Sequence, residues 1–367
     1  MAQKILGMGR LFAQARTEGV FAREDALRPE FEPQELIHRE AELSEIARAL
    51  VPATRGAAAH NVFIHGPVGT GKTTAVKKVL KELEEYSESA KGVYVNCWQS
   101  NTRQAVFSDV AQALGEVLPR RGIGSDEVFS RIAQWCRREG KALIVVLDEA
   151  DRVFAKNEES MLYDLSRSVE LHGAKISVAC ISNDAELLAN ADARIRSSLA
   201  PVSVEFKKYS PTQLKDILRE RSKIAFAPGA CSEEAIALCA AHAAKLGGDA
   251  RLALETLWTA GRNADSRGSD EVGAEDARSA FGEKEGEWKK QSRLAGATGD
   301  EKLVLGILKE RGELATGELL AAFSEKKSIT ERGLRYAIVS LEGKKLVKTR
   351  ESQGISGRGK TRILSLA

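Results

Sequence analysis

The chain has 367 residues, of which 43% are hydrophobic and 29% charged, with a net charge of +3. That balance buries a core and excludes a disordered chain. No apolar run approaches the roughly 18 residues that cross a bilayer, and no secretory h-region opens the chain, so a cytoplasmic protein is expected.

Residues 1–27 mix Gly, Arg and Ala without a sustained pattern and read as an N-terminal extension. Leu43, Ile46, Ala47 and Leu50 recur at helical spacing, so 40–50 is a helix. Residues 61–65 form a short apolar strand, a glycine-rich loop follows, and 73–86 is helical again. A second strand covers 93–96, and 105–118 and 127–138 read as helices. Residues 142–147, 176–181 and 202–206 supply three more strands. The unbroken run Ala142-Leu-Ile-Val-Val-Leu147 marks a strand buried on both faces of a parallel sheet. Strands alternating with helices predict an α/β core over 28–210.

After Ser210-Pro211 the strands stop. Helices are expected at 214–225, 233–246, 251–263 and about 274–281, forming a helical lid over 211–285 that is followed by a polar linker at 286–300. From 301 to 367 the pattern gives three helices and a β-hairpin, the winged-helix arrangement. Ser328 and Glu331 read as a capping box opening the third helix. From Lys326 onward eleven Lys and Arg face three Glu, a net of +8, which leaves the preceding residues at −5. A basic end on an acidic body points to a polyanion partner, although charge alone equally describes a solvated tail. The five cysteines are scattered without a Cys-x-x-Cys pair and fit buried thiols, not a disulfide framework or a zinc site.

The chemistry begins at Gly66, Pro67, Val68, Gly69, Thr70, Gly71, Lys72, Thr73 and Thr74. This G-x-x-x-x-G-K-T loop lies between a strand and a helix, the context that makes it a P-loop. Backbone N–H groups would turn to phosphate oxygens, Lys72 would bind the β- and γ-phosphates, and Thr73 would hold Mg²⁺. Asp148 and Glu149 end the central strand, where an Asp can serve Mg²⁺ and a Glu can polarise water, unless the pair only caps a helix. Asn183, after the next strand, is placed to orient water or sense a γ-phosphate. Arg251, in Gly247-Gly-Asp-Ala-Arg251, can reach across a cleft to phosphates, and Arg194 and Arg196 could project to a neighbouring subunit. On the third helix of the last unit Arg332, Arg335 and Tyr336 are left outward for a major groove. Arg358 and Lys360 at the Gly-rich wing tip could follow phosphates or enter a minor groove.

Taken in order, the P-loop, Asp-Glu-Ala-Asp151, Asn183, Arg194, Gly-Asp-Ala-Arg251 and a winged helix resemble the AAA+ replication initiators of the origin-recognition and cell-division-control family, in their archaeal single-chain form. Phe31-Glu-Pro33 with Leu36-Ile37-His38-Arg39-Glu40 resembles the family segment that encloses adenine, Val95-Asn-Cys97 its second-strand signature, and Tyr209 with Leu214, Ile217 and Arg221 its approach to the lid. The resemblance implies an ATPase that binds ATP or ADP with Mg²⁺, hydrolyses slowly as a switch, binds duplex origin DNA and helps load the MCM replicative helicase, with self or paralogue association on DNA. It implies further DNA contacts from an insertion near 100–125, where Arg103, Arg120 and Arg121 are the cations. Ser198 stands where multi-subunit relatives often carry Arg, which argues against a finger from that position. A regulatory paralogue that does not load helicase, and an ATPase whose winged helix binds protein, are the competing readings.

Overall fold

In a computed structural model, residues 19–118, 122–281, 298–327, 330–344, 346–353 and 360–366 are described. The chain divides into one unit ending at Ala280 and a second beginning at Phe281.

The first unit is organised by a five-stranded sheet: β1 (Val62–His65), β2 (Ala90–Asn96), β3 (Ala142–Asp148), β4 (Ile176–Ser182) and β5 (Val202–Glu205), in the order β2-β3-β4-β1-β5. Every pairing is parallel. Side chains alternate across a strand, so β3 feeds two cores at once. Leu143, Val145 and Leu147 join Phe107, Phe129 and Ile132 on one face. Ile144 and Val146 join Ile46, Ile64, Val76 and Phe206 on the other. A strand sandwiched this way must be apolar at every position, which explains the unbroken run.

Parallel register brings the carboxyl ends of the strands to one edge. Asn96 is level with Asp148, and His65 with Ser182. The helix Lys72–Tyr86 leaves the same edge from β1. Four short helices (Asp151–Phe154, Ser160–Ser166, Ser168–His172 and Ala193–Leu199) lie in stretches to which the sequence pattern assigns no element. Helix Arg103–Ala113 starts on its Thr102 cap and stops before the expected 118, because the chain turns left-handed at Gly115 (φ +80).

The lid helices Pro211–Ala225, Glu233–Lys245 and Ala250–Arg267 are joined by helical residues 274–281. Ser210 and Gln213 form a full capping box at the boundary, with Pro211 at the first helical position. The N-terminal extension needs correction: residues 19–27 are part of this lid. Phe21 stacks on Phe226 at 4.9 Å, the Ala22 amide donates to Ala225 O (2.9 Å), and the Val20 amide donates to Asp265 Oδ1 (2.8 Å). Trp258 Nε1 donates to Glu24 (2.7 Å), and Ala26 and Leu27 are buried. Patternless composition hid this, because the strap pairs with residues more than 200 positions away.

The second unit is a winged helix: helices Gly299–Arg311, Thr316–Lys326 and Glu331–Gly343, with β6 (Leu314–Ala315), β7 (Val347–Gln353) and β8 (Lys360–Leu366) in the antiparallel order β6-β8-β7. Val304, Ile307, Leu308, Leu319, Phe323, Leu334, Leu341 and Leu364 form its core. The third helix is capped by Thr330, whose hydroxyl accepts from the Gly333 amide (3.1 Å). The expected Ser328–Glu331 box is therefore corrected, since Glu331 is the first helical residue and not the third.

Gly261 sits where the strap crosses the lid, and a Cβ there would lie 2.4 Å from the Phe21 ring. Gly261→Val is expected to displace residues 19–27, cost about 1–3 kcal/mol in chemical denaturation, and speed hydrogen exchange at the Ala22 amide.

Candidate functional site

The loop after β1 turns through three glycines with positive φ: Gly66 (+144), Gly69 (+73) and Gly71 (+90). Gly66 also meets backbone closely, since a Cβ there would lie 2.2 Å from Phe206 O. The loop delivers Lys72 into the first turn of helix Lys72–Tyr86, only 7% exposed. Its ammonium donates to Gly66 O (2.7 Å), Pro67 O (2.8 Å) and Asn183 Oδ1 (2.9 Å). Burial still pulls its pKa down to about 8, against the opposing pull of Glu149 and Asp148.

Asn183 links two charged groups. Its carbonyl oxygen accepts from Lys72 while its Nδ2 donates to Glu149 Oε2 (3.0 Å). Glu149 holds a left-handed backbone (φ +55), a conformation that costs energy in a residue with a Cβ and that clusters at functional sites. Burial, reinforced by Asp151 and Asp148, raises its carboxyl above the ordinary range. Asp148 Oδ2 accepts from the Thr73 hydroxyl (2.8 Å) and from Tyr94 OH (2.6 Å), and its Oδ1 accepts from the Glu149 amide (2.9 Å). Tyr94 was missed in the sequence. Its strand pattern shows an aromatic in a sheet but not that its hydroxyl reaches the end of β3.

The lid closes over this loop. Asp249 caps helix Ala250–Arg267, accepting from the Arg251 amide (2.7 Å) and the Leu252 amide (3.4 Å), and the Ala250 amide donates to Gly69 O (3.1 Å). Arg251 thus sits on the first turn of a helix whose N-terminus rests on the P-loop. Asp249 was also missed. Burial raises its carboxyl, and it occupies the space a Gly69 side chain would need.

Gly69, Gly71, Lys72, Thr73, Asp148, Glu149, Asn183, Ala250 and Arg251 line one cleft of about 830 Å³, together with Val68, Thr70, Thr74, Phe31, Leu36, Ile37, Tyr209, Ile217 and Arg221. Four expected lining residues, Gly66, Pro67, His38 and Arg39, stand elsewhere. His38 turns to the lid, its Nε2 3.0 Å from Asp216 Oδ2. Arg39 is buried behind the loop, donating to Thr70 O (3.0 Å), Lys207 O (2.5 Å) and Glu42 (2.7 Å), with its guanidinium over the Tyr209 ring at 4.0 Å. It braces the P-loop and does not face the cleft. Gly66 and Pro67 act through their carbonyls on Lys72. Arg194 is 83% exposed beside Asp192, and Arg196 donates to Ala189 O. Neither lines the cleft. Ser198 is paired with Ser166 (2.5 Å).

The cleft fits a nucleoside triphosphate with Mg²⁺. Its floor is a helix N-terminus with a buried ammonium, and beside it a hydroxyl and a carboxylate lie 2.8 Å apart. Among the described residues no cluster of three His, Cys, Asp or Glu suits a metal on its own, and no helix is long and apolar enough to cross a membrane.

In the second unit Arg332, Arg335 and Tyr336 are exposed on helix Glu331–Gly343, Tyr336 to 69%. Arg358, Arg120 and Arg121 lie outside the described residues, as does the side chain of Lys360. Arg103 is corrected as an available cation. Its guanidinium is held by Asp126 (2.6 Å), Asp164 (3.0 Å) and Ser125 (2.9 Å).

Sheet, P-loop, strand-end acids and helical lid define a AAA+ P-loop ATPase. Residues 56–183 match the family described as AAA domain, and 215–282 the Cdc6 AAA+ ATPase-type lid domain. The ORC1-type DNA replication protein 1 of Sulfolobus acidocaldarius is 35% identical over 361 residues, covering 95% of this chain and 90% of the relative. The ORC1-type DNA replication protein of Pyrococcus furiosus is 38% identical over 266 residues, covering 70% and 63%. The structure of the Aeropyrum pernix Orc1 protein in complex with DNA superimposes with a TM-score of 0.71 at 33% identity, covering 96% of this chain and 94% of that one. The Aeropyrum pernix ORC2 protein, in ADPNP–ADP complexes, shares the fold at 20% identity and TM-score 0.68, covering 95% and 94%. The chain belongs to the ORC1-type DNA replication proteins, the Orc1/Cdc6 replication initiators.

Gly69→Ala places a Cβ 1.7 Å from Asp249 Oδ1 in a left-handed backbone. It is expected to lift the lid helix off the P-loop, lower the unfolding temperature, and abolish the stabilisation that added ATP gives in a thermal shift assay.

Proposed function

We propose that this chain is an ATP-controlled initiator that binds duplex origin DNA and helps load the replicative helicase. The observation that carries the switch is the chain of hydrogen bonds from Lys72 through Asn183 to Glu149, set under a lid whose helix N-terminus rests on Gly69. Mg²⁺, when bound, would neutralise phosphate charge, with Thr73 and Asp148 as the residues that hold it. Lys72 exchanges its bonds to Gly66 O, Pro67 O and Asn183 Oδ1 for phosphate oxygens, and the Asn183 amide, released by Lys72 but still donating to Glu149, reports that exchange. Glu149, with its carboxylate drawn by Asn183, polarises water for attack. A base engaged by a neighbouring amide suits slow turnover. Arg251, anchored through Asp249 and Ala250, turns the presence of the phosphates into a fixed lid position.

Exposed Arg332, Arg335 and Tyr336 support docking of helix Glu331–Gly343 in a major groove, and the basic surplus of the last segment supports duplex DNA over a protein partner. Arg194, exposed and outside the cleft of its own chain, is the candidate finger toward a neighbouring copy on DNA.

Glu149→Gln is expected to bind ATP much as the wild type does while hydrolysis falls about a hundredfold or more. Turnover at the wild-type rate in a single-turnover assay would remove Glu149 from the role of base. The double variant Arg332→Ala, Arg335→Ala is expected to weaken duplex binding. It should also flatten the plot of log K against log salt by about 2, since each lost phosphate contact contributes about 0.9. An unchanged slope in a fluorescence titration would take this helix out of the DNA interface.

A further inference from the structure

Arg221 lies on the lid helix Pro211–Ala225, in the cleft wall that also holds Ile217 and Ile224. Spacings of three and four residues put these three side chains on one helical face. The guanidinium is 7% exposed. It packs over the Phe31 ring, 4.5 Å from its centre, while Arg23 stands 5.0 Å from the same ring. Among the described residues its hydrogen bond is a long one, from Nη2 to Phe31 O at 3.4 Å, and Nη1 is buried without an acceptor. Among the described residues no carboxylate offsets the burial, which draws its pKa down to about 10. Buried cations are normally paired, and an unpaired donor is costly. Of the other cleft arginines, Arg23 is paired with Asp25 (3.0 Å) and Arg251 is surface-exposed at the P-loop end, so neither has such a deficit.

We propose that Arg221 is a specificity residue for the nucleotide, donating from its buried Nη1 edge to a ring-nitrogen acceptor of the purine base. This rests on the reading of the cleft as a nucleotide site. The segment 29–37 and the lid helix contribute Phe31, Leu36, Ile37, Ile217 and Ile224, apolar enough for a flat ring, alongside the carboxylates Glu30, Glu32, Glu35 and Glu220. Phosphates already have Lys72, the loop amides and Arg251, whose helix begins on the P-loop. None of those carboxylates accepts from Arg221 Nη1, and a purine carries the acceptors N1, N3 and N7. A site built to hydrogen-bond one of them discriminates strongly against a ligand lacking it.

The test is calorimetric titration of the full chain with ATP, its 1-deaza, 3-deaza and 7-deaza analogues, 2′-deoxy-ATP and inorganic tripolyphosphate. Wild type, Arg221→Met and Arg221→Lys would be compared. Arg221→Met is expected to bind ATP roughly tenfold more weakly or worse, and tripolyphosphate unchanged. One deaza analogue should bind the wild type about tenfold more weakly than ATP, and Arg221→Met should not tell that analogue from ATP. Arg221→Lys, which keeps the charge but loses the fork, should also lose most of the discrimination. Unfolding of nucleotide-free Arg221→Met should occur at the wild-type temperature or higher, because an unpaired buried charge has been replaced by an apolar chain. Four results would overturn the proposal: equal weakening toward ATP and tripolyphosphate, loss confined to 2′-deoxy-ATP, no deaza analogue distinguished by the wild type, or a fall in the unfolding temperature of the nucleotide-free variant. Wild-type protein that binds neither ATP nor tripolyphosphate would refute the nucleotide site itself, a different outcome from these four.

Discussion

The structure depends on keeping one ammonium charged and dry. Lys72 is nearly enclosed, and burial works against its proton. What holds it is a set of neutral acceptors, two loop carbonyls and the Asn183 amide, in place of a carboxylate locked in a direct ion pair. Neutral acceptors are weaker than a carboxylate and can be exchanged for phosphate oxygens. Much of the surrounding architecture keeps those acceptors in place. The left-handed glycines aim the loop, Arg39 fastens its crest through Thr70 O, and the parallel pairing of β1 with β4 brings Asn183 alongside.

The lid extends this logic. Its helix Ala250–Arg267 begins on the P-loop, with Asp249 filling the space over Gly69 and Ala250 bonded to the loop carbonyl. Nucleotide and lid therefore address the same few atoms. A change in how the loop holds Lys72 is felt one residue from the helix that carries Arg251, without a long relay through the core.

Much of this was legible in the sequence. The unbroken run of β3 announced a two-faced strand, and the glycine spacing announced the loop, because both are local consequences of backbone geometry. Asp148, Glu149 and Asn183 could be placed at the cleft from strand ends alone. Long-range pairings were not legible. Nothing local in Tyr94 says that its hydroxyl reaches Asp148, and nothing in Asp249 beyond a helix cap says that it sits on Gly69. His38 and Arg39 belonged to the right segment, but a left-handed turn at His38 (φ +62) sends both away from the cleft. Arg103 appeared to be free charge because its partners Asp126 and Asp164 are distant in sequence. Composition hid the strap of residues 19–27 entirely.

That strap makes the lid a discontinuous domain, and this bears on how the chain folds during synthesis. Residues 19–27 emerge ahead of the sheet, yet Asp265, which receives the Val20 amide, is made 245 positions after Val20. The sheet is complete before the strap has a surface to meet. Contacts so far apart form late and slowly, so the lid is expected to be the last part of the first unit to consolidate. Until then Phe21, Leu27 and Phe226 remain in water, and the newly made chain carries a sticky apolar segment at its leading end.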